Sequence, residues 1–102
     1  MTRIDDGGIH VRAIPRLARG VRLRRDRISG RLFLLRPETG FELLGSATAV
    51  VKLCEAKLTV GEIVYRLAET HRDVTRDVIA EDVDRLLTDL VRRGLIEVGS
   101  QP

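Results

Sequence analysis

Hydrophobic and polar positions follow a period of two in the first half of the chain, as they do in strands. In residues 21–24, apolar side chains alternate with arginines, which is typical of a half-buried strand. Residues 31–36 are apolar on both faces, so we expect them to form the central strand of a sheet, ended by Pro37. Residues 40–44 are short enough to be a third strand. The pattern therefore predicts a small antiparallel meander.

After Gly45 the period changes to the one that marks helices. Ser46 is expected to cap a first helix, and Thr59 with Glu62 fits the capping box that begins a second. We expect the third helix to end at a glycine, Gly94, that follows a basic last turn. The apolar residues of this third helix recur at helical spacing: Ile79, Val83, Leu86, Leu87, Leu90 and Val91.

The length fits one α+β domain in which a three-stranded antiparallel sheet is followed by three helices. Residues 1–15 are polar, contain glycine and end at a proline, so we expect a flexible N-terminal tail before a folded domain at 16–102. A short apolar segment, residues 95–98, is expected to pack back on the core. Because neither a signal peptide nor a membrane-spanning run is evident, the expected location is the cytoplasm.

Composition and charge narrow the classes of function. The chain is 43% hydrophobic but contains three aromatic residues. These give few platforms on which the bases of a single-stranded nucleic acid could stack. The net charge of +3 hides an asymmetry: residues 1–36 contain ten arginines and three aspartates, whereas the remainder contains eight basic and twelve acidic residues. This distribution indicates an acidic partner, attraction between the two parts of the chain, or a merely solvated face.

The sequence offers little to catalysis, since it contains no nucleophile motif, phosphate-binding loop or metal-ligand cluster. Cys54 is the single cysteine and lies on an apolar helical stripe, so we expect an inert core thiol. His71 follows the second helix, where a histidine at a helix end is most simply a surface residue. We therefore expect no enzymatic activity, no cofactor and no metal.

An ordered set of short motifs covers about four-fifths of the chain. With these residues the chain resembles the PqqD family of pyrroloquinoline quinone (PQQ) biosynthesis. It departs from the family at Leu44-Gly45, where Asn-Glu is common, and at Glu55-Ala56, where Asp-Gly is usual, so a different peptide-modification pathway stays open. The motifs that carry the resemblance are Arg19-Gly20-Val21-Arg22-Leu23-Arg24-Arg25-Asp26, Leu34-Leu35-Arg36-Pro37-Glu38, Glu42-Leu43, Ser46-Ala47, Leu53-Cys54, Thr59-Val60-Gly61-Glu62-Ile63-Val64, Asp82-Val83, Leu86-Leu87 and Gly94-Leu95.

The resemblance implies a winged-helix-like domain that acts as a precursor-peptide recognition element. Such a protein binds the leader of a short precursor peptide, PqqA in the PQQ case, and presents it to a radical S-adenosylmethionine (SAM) enzyme, PqqE. The peptide is expected to lie as an added strand on the edge of the third strand, against the third helix, with the chain a monomer or weak homodimer. The residues expected to contact it are Thr39, Gly40, Phe41, Glu42, Leu43, Leu44, Asp84, Leu87, Thr88 and Val91.

Two questions stay open from the sequence. Leu87 and Val91 either line the peptide groove or pack under the first helix, because the apolar arc of the third helix is wider than a core stripe requires.

The alternative function is DNA binding by a winged helix with a basic N-terminal third. Four acids on the third helix would repel phosphates, which favours a protein partner over DNA: Glu81, Asp82, Asp84 and Asp89. A purely structural subunit of an enzyme complex is a third possibility.

Overall fold

The computed structural model describes residues 11–99 of the 102-residue chain. Within that range no helix has both the length and the apolar character needed to cross a membrane. The elements in chain order are β1 (Ile14–Leu17), β2 (Arg22–Arg25), β3 (Leu32–Arg36), β4 (Thr39–Leu43), α1 (Ser46–Cys54), α2 (Val60–Thr70), α3 (Arg76–Arg92) and β5 (Ile96–Gly99).

The predicted meander is confirmed as an antiparallel sheet of β2, β3 and β4, with β3 in the centre. Its register places Leu34 of β3 between Leu23 of β2 and Phe41 of β4. The β3–β4 loop has two residues, Pro37 and Glu38, and the positive φ of 68° at Glu38 gives the chain the tight reversal that this hairpin needs. With the three helices that follow, the expected α+β order is confirmed.

A second sheet, which the sequence patterns did not predict, joins the two ends of the domain. Strand β1 pairs antiparallel with β5, so that Pro15 lies opposite Val98 and Leu17 lies opposite Ile96. Both Pro15 and Ile96 are buried. The apolar residues after α3 therefore do pack on the core, and they do so as a strand.

The predicted tail over residues 1–15 is wrong in its last part, while residues 1–10 lie outside the described residues. The carbonyls of Val11 and Ala13 accept hydrogen bonds from Gly61 N and Val60 N, each at 2.9 Å. These two N–H groups belong to the first turn of α2, where a helix leaves donors without internal partners. The chain is thus tied to the domain from Val11 onward, because it satisfies donors at the start of a helix.

The helix ends follow the sequence signals in two of three cases. The capping box of α2 is confirmed, since Glu62 N donates to Thr59 Oγ1 at 3.1 Å and Thr59 N donates to Glu62 Oε1 at 2.8 Å. The C′ role of Gly94 is confirmed by its φ of 76°. The predicted Ser46 cap is wrong: Gly45 is the N-cap of α1, no side chain caps that end, and Ser46 is the first helical residue.

The core lies between the sheet and the three helices, and it is built almost wholly of aliphatic side chains. Leu34 of β3 and Leu87 and Leu90 of α3 have no exposed surface. The open question about Leu87 is therefore answered in favour of the core. Val91 is partly exposed and packs against the edge of the core.

Cys54 ends α1 inside this core, with 1% of its surface exposed. Burial, with a smaller contribution from the charge of Glu55, raises the pKa of the Cys54 thiol to about 12. The thiolate is the reactive form of cysteine. The expectation of an inert core thiol therefore agrees with the position of Cys54.

We predict that Leu87→Ala lowers the free energy of unfolding by about 2–5 kcal/mol, because it leaves a cavity where a fully buried side chain packs. Urea unfolding followed by circular dichroism measures this loss. Leu44→Ala is the matched control, since Leu44 is 69% exposed, and its effect should stay within about 0.5 kcal/mol. Equal effects of the two changes would contradict the core assignment of Leu87.

We also predict that iodoacetamide does not modify Cys54 at pH 8 in the folded protein. A pKa raised to about 12 keeps the thiol protonated at this pH, and burial excludes the reagent. Mass spectrometry after timed labelling, with and without urea, provides the measurement. Labelling as fast without urea as with it would disprove the prediction.

Candidate functional site

Strand β4 is an edge of the three-stranded sheet, since β3 is its one neighbour in the order β2–β3–β4. Asp26 N donates to Arg31 O at 2.7 Å, which fixes the alternation of hydrogen-bonded pairs along the hairpins. With the observed register, Thr39, Phe41 and Leu43 direct their backbone groups toward β3. The N–H and C=O groups of Gly40 and Glu42 therefore point to the open edge.

Helix α3 runs antiparallel to β4 beside this open edge. At the start of β4, the guanidinium of Arg93 lies 4.8 Å from the centre of the Phe41 ring. At the end of β4, Gly45 lines a cavity together with Asp82 and Leu86 of α3. We call the space between the open edge of β4 and α3 the β4–α3 groove.

The ten predicted site residues divide into three groups. Leu43, 4% exposed, and Leu87 lie in the core, so neither side chain is available to a ligand in the groove. This corrects their assignment as contact residues, and it follows from their alternation with the exposed positions around them. Three residues of α3 are partly exposed, but on a different face of the helix from the residues that lie toward β4: Asp84, Thr88 and Val91. The others are exposed or partly exposed beside the groove: Thr39, Gly40, Phe41, Glu42 and Leu44.

The face of α3 that borders the groove carries Asp82, Leu86 and Arg93, which are spaced by four and seven residues. Asp84, Thr88 and Val91 share another face of the helix, because each lies two residues from one of these positions and so points about 200° away from it. The hydroxyl oxygen of Thr88 is buried and has no hydrogen-bond partner among residues 11–99. The groove face of α3 therefore offers a partly exposed leucine between a carboxylate and a guanidinium.

The two ends of the groove carry opposite charge. Arg93 stacks on Phe41 and donates from Nε to Asp89 Oδ2 at 3.0 Å, so its terminal nitrogens stay available at the start of β4. Arg36 lies at the same end, where it donates to the carbonyl oxygens of Arg93 and Gly94 at 3.1 Å each. At the other end the helix carries Asp82, an exposed carboxylate whose Oδ1 lies 3.5 Å from Arg85 Nη1. A charged ligand would be oriented by this difference.

A cavity of about 410 Å³ lies at the acidic end of the groove, between the start of α1, the end of α2 and α3. Its lining is mainly aliphatic, with Val83 and Leu86 from α3, and His71 and Asp82 are its titratable residues. His71 Nδ1 lies 3.0 Å from Leu67 O, so this histidine also caps the end of α2. Sequence reasoning missed the cavity because its walls come from three helices whose packing no local pattern specifies.

The residues of the described range offer no group of three or more histidine, cysteine, aspartate or glutamate side chains able to hold a metal ion. The features of the groove suit recognition: open backbone groups on β4, an aromatic ring under a guanidinium, and a partly exposed leucine on α3. These features suit an extended peptide, because a strand satisfies the backbone groups and alternates its side chains.

The family model of coenzyme PQQ synthesis protein D (PqqD) matches residues 31–96. The bifunctional coenzyme PQQ synthesis protein C/D of Methylorubrum extorquens is 38% identical over 84 residues, which are 82% of this chain and 22% of that protein. The chain thus spans about a fifth of this relative. The PqqA binding protein of Gluconobacter oxydans is 37% identical over 79 residues, 78% of this chain and 81% of that one. A protein of the same name from Rhizobium meliloti is 33% identical, over 84% of this chain and 87% of that one.

A solved structure has the same fold. It is the solution NMR structure of the PqqD truncation of Methylobacterium extorquens PqqCD, described as a functional, stand-alone recognition element for ribosomally synthesized and post-translationally modified peptides. The TM-score is 0.70 at 35% identity, and the match covers 93% of this chain and 96% of that one. The relatives of similar length are named for binding and not for a reaction. The chain therefore belongs to the PqqD family, the family of coenzyme PQQ synthesis protein D.

Proposed function

We propose that this chain binds the leader of a PqqA-like precursor peptide in PQQ biosynthesis and presents it to a radical SAM enzyme of the PqqE type. The observation that carries the proposal is the open edge of β4 running beside the partly exposed groove face of α3. Two relatives of similar length are named PqqA binding proteins, which supports the same role. The leader of another modified peptide would use the same edge.

The first step of binding is strand addition. Gly40 and Glu42 offer N–H and C=O groups at a spacing that matches every second residue of an extended peptide. Each backbone hydrogen bond contributes about 0.5–1.5 kcal/mol net, because the groups exchange water for each other. These bonds provide affinity and fix the register, but they select little by sequence.

Selection by sequence comes from the side chains along α3. Alternate side chains of the added strand face Leu86 of α3, and an apolar peptide side chain would bury the exposed part of this leucine. The charge difference between the Arg93 end and the Asp82 end favours one direction of the peptide. A leader that alternates apolar side chains and carries a carboxylate at one end suits this groove.

In this role the chain itself carries out no reaction. Cys54 is buried and protonated, and His71 is engaged at the end of α2. The covalent chemistry belongs to the enzyme, and the chain supplies proximity by holding the substrate. We place this activity in the cytoplasm, with the chain acting as a monomer or a weak homodimer.

We predict that Glu42→Pro weakens binding of the precursor peptide about tenfold or more, because proline removes an N–H group that points to the open edge. Proline is tolerated on edge strands, so the domain should stay folded. Glu42→Ala is the matched control, since it removes the same carboxylate and its ion pair with Arg31 but keeps the N–H group. Calorimetric titration that finds equal affinities for the two variants would rule out strand addition at β4.

We predict that Leu86→Glu weakens peptide binding by about 1–3 kcal/mol, because it places a charge in an apolar contact beside the groove. Val78→Glu is the control, since Val78 lies on the first turn of α3 and is 44% exposed. Circular dichroism establishes that both variants are folded before the titration. Unchanged affinity in a folded Leu86→Glu variant would place the peptide away from this face of α3.

A further inference from the structure

The sheet has a second face, which points away from the helices. Leu32 and Leu34 of β3 are buried toward the helices, so the residues between and after them, Phe33 and Leu35, project from the opposite face. Cross-strand neighbours share a face, which adds residues of β2 and β4. We call this surface the outer sheet face, and it comprises Arg22, Arg24, Arg31, Phe33, Leu35, Gly40 and Glu42.

The centre of the outer sheet face is apolar and open. Phe33 and Leu35 are partly exposed, and with Gly40 they line a depression of about 810 Å³. A Cβ atom on Gly40 would lie 3.2 Å from Leu35 Cδ2, so the leucine side chain lies closely across the glycine. Gly40 thereby leaves room for this leucine and adds no side chain to the depression, so an apolar group of a protein partner could enter it.

The loop between β2 and β3 extends this face with an exposed aliphatic side chain, Ile28, which is 95% exposed. The loop is closed by its own hydrogen bonds, since Asp26 Oδ2 accepts from Ser29 N at 2.8 Å and from Ser29 Oγ at 2.7 Å. Gly30 N also donates to Asp26 O at 2.9 Å. The hydrogen bonds from Ser29 lower the pKa of the Asp26 carboxyl, which keeps this acceptor charged at neutral pH. An aliphatic residue on an ordered loop loses little entropy when a partner covers it.

The rim of the outer sheet face is positively charged. Within residues 11–99, Arg22, Arg24 and Arg27 form no ion pair, whereas Arg31 pairs with Glu42 at 3.3 Å. Arginines around an apolar centre fit a protein surface that carries carboxylates around an apolar patch. Nucleic acid would use the arginines but would leave the Phe33–Leu35 centre and Ile28 with few apolar contacts.

The outer sheet face is continuous with the edge that the proposed peptide would occupy. A strand added to β4 extends the sheet, and half of its side chains then project beside Gly40 and Glu42. A protein seated on the outer sheet face would contact these peptide side chains and the domain together. The α3 side of the peptide would stay closed against the groove.

We propose that the outer sheet face, with Ile28, is the docking surface for the enzyme that modifies the bound peptide. The contacting surface of that enzyme carries carboxylates around an apolar centre. The inference rests on the proposed function, since it assigns the second partner to a face distinct from the peptide groove. Peptide and enzyme then occupy adjoining surfaces at the same time.

The test uses the full chain, the precursor peptide and the radical SAM enzyme of the pathway. Ile28→Asp and Arg24→Glu should each weaken binding of the enzyme by about tenfold or more. Both substitutions place a negative charge at the contact, where it repels the carboxylates of the enzyme. Peptide affinity should stay within about twofold in both variants. The matched controls are Val78→Asp and Arg66→Glu, which change exposed residues of α3 and α2 and should leave both affinities unchanged. Surface plasmon resonance with immobilised enzyme and calorimetry with peptide give the two readouts.

The outcomes separate the two proposals. Loss of enzyme binding with peptide affinity retained supports the docking surface. Failure of the unaltered chain to bind the peptide disproves the proposed function itself. Peptide binding with enzyme affinity unchanged in both variants overturns the docking surface alone. Retention of duplex DNA at physiological salt, abolished by Arg24→Glu, would also overturn it and identify the face as a nucleic-acid site.

Discussion

The central position of β3 is the constraint on which both surfaces of this domain depend. Its core-facing leucines, Leu32 and Leu34, attach the sheet to the helices, while Phe33 and Leu35 build the opposite face. A strand with apolar side chains on both of its faces must be covered on both sides or provide a contact surface. The helices cover one side of β3. The other side stays open together with the edge of β4, and these are the two places where we assign partners.

The end of α3 is held against the sheet by one arginine. Arg36, the last residue of β3, donates to the carbonyl oxygens of Arg93 and Gly94, which lie where the helix lacks internal donors. A Cβ atom on Gly94 would come within 3.0 Å of Arg36 Nη1, and the φ of 76° there also favours glycine. The glycine that ends the helix therefore also lets the guanidinium approach, and this contact joins the end of β3 to the end of α3.

Local patterns predicted the elements whose signals are local. The alternation in β2, the capping box of α2 and the glycine after α3 are all read within a few residues, and all are confirmed. The β1–β5 sheet was missed because it joins residues about 80 positions apart, and because Pro15 weakens the strand signal in β1. The depth of Leu87 was equally hidden. The spacing of apolar residues gives the direction in which each points but not the width of the surface that covers them.

The sequence predicts the backbone part of the candidate site better than its side chains. An edge strand follows from the number and order of strands, so the role of β4 is accessible to sequence reasoning. Which residues border the groove depends on the packing of α3. Leu43 and Leu87 were expected to contact the peptide, but both are buried in the core. This division matches the physics of strand addition, in which backbone bonds give affinity and neighbouring side chains give selectivity. A small domain with an open edge can therefore keep the same binding mode while changes at Asp82 and Leu86 alter the peptide it accepts.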